Sequence, residues 1–185
     1  MDRIVYIDYD STLVDFLDAW LEEIYETKGI RIRHDQIKSF HDPILEVHAD
    51  IFMESDLYAK RIRPFLGAES LIAELQKEYK VQILTHTHPK ARLAKEKHIA
   101  KYFPNIPVIH TQEPKWKFSQ NGVLIDDGLH NIEGQLDNTE QLAILFNPGN
   151  RYYHSQTDRE HERLHLATSY EDIKDLLLGD FYVRY

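Results

Sequence analysis

Residues 4–12 read IVYIDYDST, an apolar run, Ile4 to Ile7, that ends in two aspartates, Asp8 and Asp10. If the strand continued through both, alternation would set the two carboxylates on one face, where like charges that close raise each other's free energy. Something in the folded chain has to offset that repulsion, and the rest of the sequence has to supply it.

Further along, apolar runs recur with helical patterns between them. After Asp10 the segment from Phe16 carries apolar residues at Phe16, Leu17, Trp20, Leu21, Ile24 and Tyr25 and stops at Gly29, an amphipathic helix with a glycine terminator. Ile30 to Arg63 offers only short helical pieces and no strand. Pro64–Tyr79 reads as a second long helix, Val81–Thr87 as a second strand, Lys90–Tyr102 as a helix, and Pro107–Thr111, Val123–Asp127 and Leu142–Asn147 as three further strands. Alternation of this kind predicts an α/β fold, a parallel sheet with helices on both faces, and ligands beyond the carboxyl ends of the strands.

The polar residues that follow the strands are therefore the candidate site: Asp8 and Asp10, then Thr85 and His86, then Lys115 and Lys117, then Asp126 and Asp127. Four carboxylates in one crevice need a cation, and an all-oxygen set suits a hard ion such as Mg2+, which shares its shell with phosphate. One carboxylate can then attack phosphorus while a second handles the leaving group's proton, with Thr85 and a lysine holding the phosphoryl oxygens.

Composition narrows the classes. At 185 residues and 42% hydrophobic content the chain fits one domain with a small insertion. A net charge of −9 argues against a general nucleic-acid surface, and the absence of cysteine excludes disulfides and thiolate metal sites and favours the cytoplasm. No apolar run reaches the roughly 20 residues of a membrane span, and MDRIVYID does not read as a secretory signal.

Asp8-Tyr9-Asp10-Ser11-Thr12 resembles the DxDxT signature of the haloacid dehalogenase (HAD) superfamily, and Thr85, a lysine at 115 or 117, and Asp126-Asp127 follow in that superfamily's order. Within it the chain resembles the cytosolic type of 5'(3')-deoxyribonucleotidases along nearly its whole length. DYDSTLVDF, RPFLGAESLIAEL, ILTHTHP, LIDDGLHNI, ILFNPGNR and HLATSYEDIKDLL carry the likeness. The resemblance implies a HAD-like Rossmannoid three-layer α/β/α core, residues 1–15 and 64–185, with a small helical cap, residues 16–63, inserted after the first strand. It implies Mg2+ as cofactor and a phosphorylated small molecule, a nucleoside monophosphate, as substrate. Asp8 would be the nucleophile and a metal ligand, and Asp10 the acid/base with its backbone carbonyl on the metal. Asp126 and Asp127 would complete the metal site; Thr85, His86 and Lys115 or Lys117 would bind phosphate; Phe16 would stack on base or sugar.

The chain also departs from those relatives. Ser11-Thr12 replaces Gly-Val, His86 stands where a serine is usual, Gly128 replaces an arginine, and the paired cap tryptophans are missing, Trp20 and Trp116 being the chain's two. Phe40, His41, Phe52 and Tyr58 are candidate replacements. A different small phosphate ester, such as a sugar phosphate, and a non-catalytic phospho-ligand-binding domain are the alternatives. HERLH, residues 161–165, matches a zinc-peptidase pattern that would require a helix presenting both histidines on one face. His88 reads as a solvated loop histidine, and Glu22, Glu23 and Glu26 as a solvated helix face. Tyr152-Tyr153 and the terminal DFYVRY read equally as a homodimer contact and as packing.

Overall fold

The computed structural model describes residues 3–39, 42–54 and 56–179. Its strands are β1 (Ile4–Ile7), β2 (Lys80–His86), β3 (Val108–Thr111), β4 (Gly122–Asp126), β5 (Ala143–Phe146) and β6 (Leu164–Ala167). Its helices are α1 (Phe16–Lys28), α2 (Pro43–Glu46), α3 (Ala49–Glu54), α4 (Leu57–Lys60), α5 (Ala68–Leu75), α6 (Arg92–Tyr102), α7 (Leu129–Asn138) and α8 (Tyr170–Leu178). The strands form one parallel sheet in the order β3-β2-β1-β4-β5-β6. The apolar run of the opening stretch is thus the middle of the sheet, with Ile7 level with Ile83 on one side and Ile125 on the other.

Period-two alternation sorts the side chains into two layers. Val5, Ile7, Val81, Ile83, Ile125 and Ile144 share a core with Leu71, Ile72 and Leu75 of α5 and Ile173 and Leu177 of α8. Tyr6, Leu84, Leu124, Ala143 and Leu145 point the other way, against Ile132 and Leu136 of α7. Each such Val, Leu or Ile side chain, fully buried, contributes about 1.5–3 kcal/mol, and both faces must be covered because the inner strands of a parallel sheet are apolar on both sides. The α/β class, the three layers and the helical insertion after β1 are as expected.

Boundaries differ from the sequence reading where backbone chemistry overrides periodicity. The helix expected from Pro64 starts at Ala68, because Gly67 adopts φ +90°, a left-handed conformation that cannot continue a helix, and Pro64 is bridged to Val14. The helix expected from Lys90 starts at Arg92, after a 3-10 turn over Pro89–Ala91. Helix α7 was not legible at all, and β6 only through the family likeness.

The chain leaves the sheet at Val14 and returns at Pro64, and the two crossings run side by side: Asp15 N–H donates to Arg63 O at 3.0 Å, and Phe65 N–H to Leu13 O at 3.0 Å. Between them lie α1 to α4. The Arg61 guanidinium bonds to Glu23 and Glu26 of α1 and pairs with Glu22 at 3.4 Å. The acidic run expected to be merely solvated is therefore a brace that closes the insert on itself.

His161 and Glu162 lie in a turn and His165 in β6, so the HERLH segment has no helix to bring its histidines together, and the zinc-peptidase reading fails on geometry. Tyr152 is fully buried and Tyr153 half-exposed. Residues 180–185, like Phe40 and His41, lie outside the described residues. Among the described residues no helix is long and apolar enough to cross a membrane.

Candidate active site

In this topology successive strands run outward from β1 in one direction and from β4 in the other, which leaves a crevice at the carboxyl ends of that pair. Asp8 follows β1 directly, its N–H donating to Ile125 O at 2.9 Å; Asp126 ends β4 and Asp127 follows it. All three are buried, and each offers a carboxylate oxygen within 4.8 Å of the others. The turn after β3 brings Lys115 Nζ onto Asp8 and to 2.6 Å from Asp126 Oδ2. Lys117 lies two residues away on the same turn but is exposed and pairs with Glu113, so of the two candidate lysines only Lys115 reaches the carboxylates.

Asp126 and Asp127 are also held from behind. Asp126 Oδ1 accepts from Gly128 N–H at 2.8 Å and from Asn131 Nδ2 at 3.1 Å. A Cβ on Gly128 would stand 3.0 Å from both Asp126 Oδ1 and Asn131 Nδ2, so a larger residue here would press on the bond between them. Asp127 accepts from His154 Nε2 at 2.9 Å and Thr12 Oγ1 at 3.4 Å, while its backbone oxygen accepts from Ser155 Oγ at 2.7 Å.

Burial pushes the Asp8 carboxyl up to about 8, with Lys115 pulling against the rise and Asp126, Asp127 and Asp10 adding to it. Burial likewise raises Asp127, against the pull of His154. Burial works against the Lys115 ammonium, yet Asp126 and Asp8 outweigh it and hold its pKa above the ordinary value. Three buried carboxylates facing one ammonium are under-compensated, and their oxygens are the hard donors that a divalent cation of the Mg2+ type takes.

Asp10 is placed differently. Its side chain does not join the cluster of three but turns toward a second buried lysine, Lys95 of α6, at 2.7 Å, and accepts from the hydroxyl of Tyr58 of α4 at 2.8 and 3.0 Å. The two aspartates of the opening stretch each face a lysine of their own. Lys95 also donates to Thr85 Oγ1 at 2.8 Å and His86 O at 2.7 Å. The sequence pattern marks neither Lys95 nor His154, and Tyr58 only as a candidate replacement for the missing cap tryptophans. A signal existed for Lys95: with His98 and Ile99 it occupies the buried face of α6, where a lysine is out of place unless paired.

These groups line a cleft of about 620 Å³. On the insert side Phe16, Trp20, Phe52 and Tyr58 form an aromatic wall, Phe16 meeting Phe52 edge-on at 5.2 Å and Tyr58 at 6.1 Å. Opposite, the His86 and His130 rings lie parallel at 6.4 Å. His86 Nε2 lies 3.0 Å from Glu113 O, and a carbonyl only accepts, so Nε2 carries the proton. Burial lowers the His86 pKa, which favours the neutral ring. Trp116 lies away from the cleft lining, its ring against Gly134 of α7.

No family model matches the chain, and no curated protein matches it in sequence. Solved structures do match it in fold. The HAD-hydrolase YfnB from Bacillus subtilis, bound to magnesium, superposes with a TM-score of 0.61 at 15% identity, covering 95% of this chain and 98% of its own. A haloacid dehalogenase-like hydrolase from Streptococcus pneumoniae gives 0.61 at 15% over the same shares. A predicted phosphatase from Clostridium acetobutylicum gives 0.62 at 13% identity over 96% and 99%. The chain has the HAD-like fold.

Proposed function

We propose that the chain is a Mg2+-dependent phosphomonoester hydrolase that works through an aspartyl phosphate on Asp8, with nucleoside monophosphates as its favoured substrates. The observation that carries the reading is Asp8 buried at the crevice between β1 and β4 against Lys115, with Asp126 and Asp127 beside it. The names of the fold neighbours, hydrolases and a phosphatase, one bound to magnesium, support it.

In this reading residues 1–15 and 64–185 are the catalytic core and residues 16–63 a cap. Asp8, Asp126 and Asp127, with the Asp10 backbone carbonyl, would hold Mg2+, which when bound neutralises the carboxylates and the phosphate charge. An Asp8 oxygen attacks phosphorus, the bond from phosphorus to the leaving oxygen breaks, and Asp10 delivers a proton to that oxygen. Water then gives a proton to Asp10 and attacks the acyl phosphate, releasing inorganic phosphate and restoring Asp8. Lys115 neutralises the charge that gathers on the phosphoryl oxygens, and Thr85 would bind them. Phe16 and Trp20 face the leaving group, and a wall of four aromatic rings suits a planar base better than a sugar.

Assay of purified protein against a panel of nucleoside monophosphates and sugar phosphates tests both levels. Hydrolysis should require Mg2+, favour the nucleotides, and fall by about 10³-fold or more in Asp8→Asn. Turnover that survives both chelation and Asp8→Asn contradicts the mechanism; equal, slow rates on every ester contradict the nucleotide preference alone.

A further inference from the structure

Lys95 is 1% exposed and Tyr58 3% exposed, and both meet at Asp10. A buried ammonium is costly unless its charge and hydrogen bonds are satisfied, and an apolar residue on that face of α6 would serve packing as well or better. Lys95 Nζ is fully engaged, with Asp10 Oδ2 at 2.7 Å, Thr85 Oγ1 at 2.8 Å and His86 O at 2.7 Å. The Tyr58 hydroxyl bridges both Asp10 oxygens, and Lys95 Nζ stands 5.9 Å from the Tyr58 ring. The same face of α6 holds the insert's return: His98, one turn after Lys95, lies 5.6 Å from the Tyr58 ring and donates to Ile62 O at 3.0 Å.

We propose that Lys95 and Tyr58 are the positioning residues of Asp10, clamping its carboxylate from the core and from the insert, so that its proton transfer depends on the insert being seated. The inference rests on the role given to Asp10 above. The clamp has no part in the attack of Asp8. It acts where Asp10 takes the proton of water as oxygen bonds to phosphorus and the acyl phosphate bond breaks, and where Asp10 protonates a poor leaving group. A p-nitrophenolate leaving group needs no such proton, so p-nitrophenyl phosphate separates the two halves of the reaction.

Stopped-flow with p-nitrophenyl phosphate and Mg2+ is the test, on wild type, Tyr58→Phe, Lys95→Met and Asp10→Asn. Tyr58→Phe removes one oxygen atom and keeps the ring, so it reads the clamp even if Lys95→Met unfolds. The expected result is a burst of p-nitrophenolate of about one per site, followed by a steady state slowed about 10-fold or more, the scale of a displaced acid/base group. Asp10→Asn should show the same pattern, and the Asp10→Asn/Tyr58→Phe double variant should be no slower than Asp10→Asn. Equal slowing of burst and steady state, no slowing, or additive slowing in the double variant overturns the clamp. A loss of the burst in Asp10→Asn overturns the role of Asp10 and the clamp with it, whereas a burst that persists in Asp8→Asn contradicts the nucleophile and leaves the underlying reading at fault.

Discussion

At the scale of single residues, the opening stretch shows how a chain tolerates adjacent carboxylates: Asp8 and Asp10 leave the strand in different directions, one to Lys115 and one to Lys95. Ser11 follows them in the turn that leads the chain off the sheet toward α1. It adopts φ +61°, in the left-handed region that favours glycine, and its Oγ accepts from Leu17 N–H at 3.3 Å across the start of α1. Ser11→Ala keeps the backbone strain and loses the acceptor, so it should cost about 1 kcal/mol. Ser11→Gly loses the same bond but regains about 1 kcal/mol of strain and should lie near wild type. Urea melts of the two variants check the ranking, and an alanine variant as stable as glycine contradicts it.

At the scale of elements, α6 ties core to insert through His98. Nε2 donates to Ile62 O, and in the neutral ring, which burial favours, Nδ1 accepts from the Tyr9 hydroxyl, 2.6 Å away. Burial lowers its pKa below the ordinary 6.5. The unfolded chain then binds more protons than the folded one below 6.5, so stability is retained above that pH and lost as pH falls through it. His98→Leu should cost about 3 kcal/mol at neutral pH, from two buried groups left without partners, and should weaken the loss on acidification, read by urea melts on either side of 6.5. An unchanged acid sensitivity would place it in other groups, such as His86 or His110, whose pKa values burial also lowers. The elements legible in the sequence were those with one dominant signal. Strands β1 to β5 are apolar runs and were placed within a residue or two. Helix α7, LHNIEGQLDN, is polar and carries a mid-helix glycine, and β6 is an edge strand with Leu166 exposed, so neither has that signal. The site divides in the same way. Asp8, Asp126, Asp127 and Lys115 follow strands and could be found by counting along the chain. Lys95 and Tyr58 reach the cleft, and His154 reaches Asp127 behind it, only because α6, α4 and the loop after β5 pack where they do.

At the scale of the whole molecule, insert and core form one cleft, with aromatic rings on one wall and charged chemistry on the other. The chain has two tryptophans, and only Trp20 lines that cleft. A nucleoside monophosphate bound to Asp8→Asn should therefore quench the fluorescence of Trp116→Phe, which retains Trp20, and leave Trp20→Phe nearly unchanged. The reverse pattern would put the base elsewhere. All of this depends on Asp8 becoming phosphorylated. Acid quenching of the enzyme during turnover, followed by borohydride reduction and peptide mass spectrometry, tests that directly. An acyl phosphate on Asp8 is reduced to homoserine, so homoserine at position 8, formed only with Mg2+ and substrate together, is the predicted result. An unreduced aspartate at position 8 in a sample that is turning over substrate would contradict it.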